Sequence, residues 1–163
     1  MLIGILSDSH GKHERTLTAA RQLMERGADV LIHLGDVETE QVLDALAGYP
    51  ARLVFGNCDY DVAGLTRYAE GLDLAVDHPM GELAVDGKRI AFTHGDRPRL
   101  MDDAVERRVD YLLHGHTHIP RDEREGGVRI INPGALFRTS RYTVALLDPG
   151  ADALEFVELP RSS

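Results

Sequence analysis

The sequence predicts an α/β protein in which two mixed sheets pack face to face with helices outside. Three observations carry this. The first third alternates short apolar runs with stretches of helical period, in β-α-β-α-β order, which implies parallel strands joined by helical crossovers. The last third is a meander of short runs separated by turns. The chain has 163 residues, 43% apolar and 28% charged, enough to build a packed core without disulfide or structural staples. A single domain over 1–163 is expected, with 160–163 as a loose tail.

Residues 2–6 form a continuous apolar run, as in a strand buried on both faces. Residues 13–26 read as a helix, because Leu17, Ala20, Leu23 and Met24 recur at helical spacing and Gly27 ends the pattern. A second strand covers 30–34. The helix over 39–47 presents Val42, Leu43 and Leu46 on one face and is closed by Gly48 and Pro50. A third strand covers 52–55. Runs at 83–85 and 89–93 flank Asp86-Gly87-Lys88, a hairpin signal. A helix over 101–109 precedes a strand at 111–114. Strands at 121–125 and 128–131 share the Gly126-Gly127 turn, and strands at 142–147 and 154–159 follow. The stretches 64–81 and 96–103 read as loops that carry specificity.

Composition narrows the function. Against 18 basic residues stand 27 acidic ones, a net charge of −9, which argues against a basic nucleic-acid-binding face. No stretch approaches the roughly 20 apolar residues of a membrane helix. The opening run stops at Asp8 without a basic leader, and Cys58 is the lone cysteine, so no intrachain disulfide forms. Both features suit the reducing cytoplasm.

Five apolar runs lead directly into Asp, Asn or His: Asp8-Ser9-His10, Gly35-Asp36, Gly56-Asn57-Cys58-Asp59, His94-Gly95-Asp96 and Gly115-His116-Thr117-His118. Taken singly, such groups are background. Their conjunction at five strand ends is not, because ligands of α/β sheets bind outside the carboxyl ends of the strands. Asp8, Asp36 and Asn57 offer oxygens; His10, His94, His116 and His118 offer imidazoles. Seven mixed donors are too many for one tetrahedral zinc and suit two ions. Asp36 is the natural bridge, with one carboxylate oxygen for each ion. The glycines are expected to allow tight turns.

These motifs resemble the calcineurin-like metallophosphoesterase superfamily, and within it the small single-domain phosphodiesterases of bacteria and archaea. The likeness extends to Asn132-Pro133-Gly134 near the end of the chain. It implies a four-layer α-β-β-α sandwich. It also implies one metal held by Asp8, His10, Asp36 and His118, and a second held by Asp36, Asn57, His94 and His116. The implied activity is hydrolysis of a small phosphoester, chiefly a phosphodiester, by a hydroxide bridging two divalent ions, with Asp36, Asn57 and His94 around it. Manganese is the first expectation; iron, cobalt, nickel and zinc suit the same donors. Relatives often assemble, so a homo-oligomer is open. Two departures stand out. Many members have His where this chain has Cys58, and some have a further His where it has Asp96.

Around the donor set, His33 and His114 are expected to brace their neighbours or fill their strands. Cys58 and Asp96 would line the site. Asp59 either accepts a hydrogen bond near Asn57 or is exposed. Arg97, Arg99, Arg138 and Arg141 lie where a guanidinium could meet phosphate bidentately. Two other functions fit the same residues: a metal-bound protein-interaction scaffold without catalysis, and a phosphomonoesterase or nucleotide-directed enzyme.

Overall fold

Alternate residues of the first strand meet different partners. In β1 (Ile3–Leu6), Ile3 and Ile5 enter one apolar cluster and Leu6 enters another. Burial on both faces is what a continuous apolar run encodes, and it places β1 inside a sheet. The computed structural model describes residues 1–161. After β1 come α1 (His13–Glu25), β2 (Val30–His33), α2 (Glu40–Leu46), β3 (Ala51–Leu53), α3 (Val62–Gly71) and β4 (Ala75–Val76). A hairpin of β5 (Met80–Val85) and β6 (Lys88–Thr93) follows, then α4 (Pro98–Glu106), β7 (Tyr111–Leu113), β8 (Arg121–Glu125), β9 (Val128–Asn132), β10 (Thr143–Asp148) and β11 (Ala153–Glu158).

The strands form two mixed sheets, ordered β11-β10-β1-β2-β3-β4 and β5-β6-β7-β9-β8. In the first, β1 to β4 are parallel and β10 is antiparallel to β1. In the second, β6, β7 and β9 are parallel between antiparallel edges β5 and β8. Ile3, Ile5, Ile32 and Leu34 from one sheet pack against Ile90, Phe92, Leu113 and Ile131 from the other. Each such side chain contributes roughly 1.5–3 kcal/mol by leaving water. The outer face of the first sheet buries Leu23, Leu43 and Leu65 from α1, α2 and α3, and that of the second buries Ala104 from α4. The result is the expected four-layer sandwich. Register sets Leu6, His33 and Leu53 side by side, and likewise Phe92, Leu113 and Ile131. The strands of each sheet therefore end nearly flush, with their following loops on one rim.

The expected loops are corrected in two places. Residues 64–81 contain most of α3, all of β4 and the start of β5. Leu65 and Ala69 of α3 are its buried residues, and Asp61 caps it by accepting from Gly64 N at 3.0 Å. Residues 96–103 contain the start of α4, which begins at Pro98 rather than 101 and ends at Glu106 rather than 109. Proline suits a first helical turn, where its missing N–H leaves no bond unmade. Within the stretch expected to be a loose tail, Arg161 donates to the carbonyls of Thr139 and Ser140; 162 and 163 lie outside the described residues. Among those described, no helix is long and apolar enough to cross a membrane.

Candidate metal centre

Five strand ends put the donor side chains on one rim, and the backbone there takes an uncommon conformation. Asp8, His10, Asp36, His116 and His118 all have positive φ, between 44° and 73°. Non-glycine residues pay for this region, and such outliers concentrate at functional sites. The loops hold one another in it: Asp8 N donates to Gly35 O, His10 N to Asp36 O and Gly115 N to His94 O. The glycines serve two ends. Gly35 and Gly95 have φ of 102° and 107°, as a tight turn requires. Gly56 and Gly115 do not have positive φ, so the expected reason is corrected for them. A Cβ at Gly56 would collide with Asp36 and His94, and one at Gly115 would collide with Ser7 and Asp8. They are glycines because the donor side chains need the space.

The seven side chains fall into two groups around Asp36. In the first, His118 Nε2 lies 3.4 Å from Asp8 Oδ1, and His10 Nε2 lies 3.3 Å from His118 Nε2 and 3.5 Å from Asp36 Oδ2. In the second, His94 Nε2 lies 3.2 Å from Asp36 Oδ2 and 3.1 Å from Asn57 Oδ1, which is 3.2 Å from His116 Nδ1. One oxygen, Asp36 Oδ2, faces both groups. The other, Oδ1, accepts the Cys58 N–H at 2.9 Å. As the side chain stands, Oδ2 rather than Oδ1 is the oxygen that lies between the two groups. Asp8, Asp36 and His94 are buried, whereas Asn57 and His116 are exposed at the mouth.

Asp8 supplies the test of whether a cation fits. Its Oδ2 accepts from Ser7 Oγ at 2.7 Å and His116 N at 3.1 Å. Its Oδ1 is buried without a hydrogen-bond partner and faces the imidazoles. A buried carboxylate oxygen left unmatched is costly. A cation among Asp8 Oδ1 and the neighbouring nitrogens satisfies all of them, and the hard oxygen and imidazole donors suit a divalent transition ion. The acidity of the groups agrees. Burial alone would raise Asp8, but the nearby imidazoles hold its carboxyl below the ordinary range. Burial alone would lower His94, yet Asp36 and Asp8 raise it to about 9. The carboxylates thus favour positive charge at the imidazole nitrogens.

A second ring of contacts fixes the donors. His10 Nδ1 meets Glu38 Oε1 at 2.7 Å, and His94 Nδ1 meets Leu34 O at 2.7 Å, leaving both Nε2 atoms toward the centre. Asp59, buried, accepts the N–H groups of Asp36, Val37, Glu38 and Gly56, so it ties the second strand's loop to the third's. His33 accepts from Gly35 N through Nδ1, which leaves its Nε2–H for Ser9 Oγ at 2.7 Å. Burial lowers it to about 4, so it is neutral. Burial also lowers His114, whose Nδ1 meets Gly115 O and whose Nε2 accepts from Arg121.

An open cleft of about 510 Å³ lies over the two groups. Cys58 lines it, and burial, with Asp36 and Glu38 alongside, pushes its thiol up to about 11. Of the four candidate arginines, Arg138 lines the cleft, whereas Arg97, Arg99 and Arg141 are exposed elsewhere, and Asp96 also lies outside the lining. Sequence reasoning missed Lys12, Glu38 and Phe137, all three in the lining. Their proximity to motif residues was the only available signal.

A family model of the calcineurin-like phosphoesterase superfamily domain matches residues 1–152. The chain belongs to the calcineurin-like phosphoesterase superfamily. It is 33% identical over 171 residues to the probable metallophosphoesterase YsnB of Bacillus subtilis, an alignment covering 97% of this chain and 91% of that protein. It is 28% identical over 151 residues to phosphodiesterase YfcE of Escherichia coli K12, covering 83% and 79%. A solved archaeal phosphodiesterase superposes with a TM-score of 0.89 at 23% identity, covering 98% of this chain and 100% of that one. That superposition speaks for the fold. Calcineurin-like phosphoesterases are metal-dependent, and the donors Asp8, His10 and His118, or Asp8, Asp36 and His94, approach closely enough to hold an ion.

Proposed function

We propose that this chain is a phosphodiesterase that works with two divalent transition ions, manganese first among them. Asp8, His10, Asp36 and His118 would hold one ion, and Asp36, Asn57, His94 and His116 the other. The observation that carries the reading is Asp36 Oδ2, 3.5 Å from one imidazole group and 3.2 Å from the other. Bound ions neutralise phosphoryl charge and lower the pKa of water, which supplies a nucleophile near neutral pH. The chain's own residues do the positioning. The Cys58 N–H holds Asp36 so that Oδ2 points inward, Glu38 and Leu34 O orient His10 and His94, and Asn57 and His116 stand at the mouth where a phosphoryl group enters. The cleft suits a small ester. The diester reading is supported by the names of two relatives, phosphodiesterase YfcE and phosphodiesterase MJ0936. We place the whole chain in one domain and the protein in the cytoplasm, on the lone cysteine and the motif span.

The test is to load the protein with Mn(II), count ions by elemental analysis, and compare bis-p-nitrophenyl phosphate, p-nitrophenyl phosphate and 2′,3′-cyclic nucleotides. Two ions per chain with faster diester cleavage is expected. One ion at saturation defeats the ligand assignment, and two ions without turnover would favour the scaffold reading.

A further inference from the structure

The two flanks of the cleft carry opposite charge. On one, the Lys12 ammonium and the Arg138 guanidinium each lie 5.3 Å from the centre of the Phe137 ring, which lies 5.2 Å from the His10 ring. Among the described residues neither cation has a carboxylate partner, although many other basic side chains do: Arg52 pairs with Asp77, Arg107 with Glu82, Arg129 with Asp122. With 27 acidic residues in the chain, two cations unpaired at the same edge of the site are available to an incoming anion. On the other flank, the cleft shares Glu38 and Cys58 with an adjoining cavity of about 450 Å³. That cavity is lined further by Glu40, Asp61 and Leu65, and by Tyr60, which is 90% exposed. Among the described residues, no lysine or arginine lines it.

We infer that the substrate is an unsymmetrical phosphodiester with a further anionic group on one arm and none on the other. The anionic arm lies against Lys12, Phe137 and Arg138; the uncharged arm enters the cavity beside Tyr60. This rests on the phosphodiesterase reading and specifies its substrate class. Attraction at one flank selects the anion, and the carboxylates of the other reject the reversed orientation, because like charges brought together at a binding surface are costly. The exposed Tyr60 ring offers a face to a flat or apolar group.

Two hydrolysis-resistant phosphonate analogues test it, one with an arm ending in carboxylate and the other in the isosteric carboxamide. Calorimetry on the Mn(II)-loaded protein should find the carboxylate form bound about tenfold tighter at low salt, equivalent to roughly 1.4 kcal/mol for two partly exposed charge contacts. High salt should shrink that ratio. The double variant Lys12→Ala with Arg138→Ala should abolish it. Arg21→Ala with Lys88→Ala, which removes the same charge elsewhere, should keep it. Equal binding of the two analogues by the unaltered protein, or a ratio that survives loss of Lys12 and Arg138, overturns the inference. The corresponding p-nitrophenyl diesters separate the two claims. Turnover of neither overturns the phosphodiesterase reading, whereas turnover of both at equal kcat/KM with equal analogue binding overturns only the substrate class.

Discussion

Asp36 Oδ1 accepts a backbone N–H, and Oδ2 lies between both donor groups. Asp36→Asn replaces a shared anion with a neutral amide. Activity should fall by more than the 10–100-fold that is typical of losing an outer contact to a ligand. The melting temperature of the metal-free protein should fall only modestly, because His94 loses its carboxylate partner while Asp8 loses a nearby like charge. Turnover within tenfold of the parent, with two ions bound, would remove Asp36 from the shared role. The neighbouring Cys58 leads to a kinetic expectation. Its thiol, pushed up to about 11, is a poor proton donor. His33 is buried and neutral, with its Nε2 on Ser9, and the Asp59 carboxylate is engaged by backbone N–H groups, so neither stands in. A positioned general acid is worth about 10²–10⁴-fold. Without one, kcat/KM should depend steeply on leaving-group pKa, with aryl diesters far ahead of alkyl diesters. A shallow Brønsted plot, with chemistry rate-limiting, would point to an acid elsewhere in the cleft.

At the scale of elements, the strand ends govern the site through space rather than sequence neighbours. Gly115 shows this. An added methyl would press on Ser7 and on Asp8 Oδ2, the oxygen that Ser7 braces. Gly115→Ala should cost about 1–3 kcal/mol in the metal-free protein by overpacking. It should also weaken metal binding by about 10–100-fold by turning Asp8, measured by urea unfolding and metal titration. Unchanged metal affinity would show that Asp8 yields without consequence. The parallel strands were legible because burial on both faces writes a continuous apolar run, as at Ile3 to Leu6. The donor motifs were legible because each follows such a run. Helix α3 was not. Leu65 and Ala69 are its buried residues, Gly64 and Gly71 weaken its pattern, and the Asp61 cap looks like any loop aspartate until Gly64 N is seen on it. Glu38, Lys12 and Phe137 escaped notice because their roles arise from tertiary contacts, of Glu38 and Phe137 with His10 and of Lys12 with Phe137, which no spacing encodes.

For the whole molecule, the buried histidines set opposite limits on stability. His94, raised to about 9 from an ordinary 6.5, stabilises the metal-free fold below pH 6.5 and loses that contribution as pH rises through 9. The span is on the order of 3 kcal/mol. His33, lowered to about 4, is buried neutral, so stability falls as pH drops from 6.5 toward 4. The metal-free melting temperature should therefore peak near pH 6.5. Saturating Mn(II) should lift the alkaline side most, since ions replace the proton on His94 and bind better as it leaves. A metal-free profile that climbs from pH 6.5 to 9 would contradict the charge balance at Asp8 and Asp36. The rim also has a consequence for assembly of the chain. Four of the seven donors come from residues 8–57 on the first sheet, and three from 94–118 on the second. No contiguous half owns a complete group, since Asp8 waits for His118 and Asn57 for His94. If the two ions bind as proposed, filling both sites would report that both sheets have docked: a truncated or half-folded chain would lack His94, His116 or His118 from its donor set until the sandwich had closed.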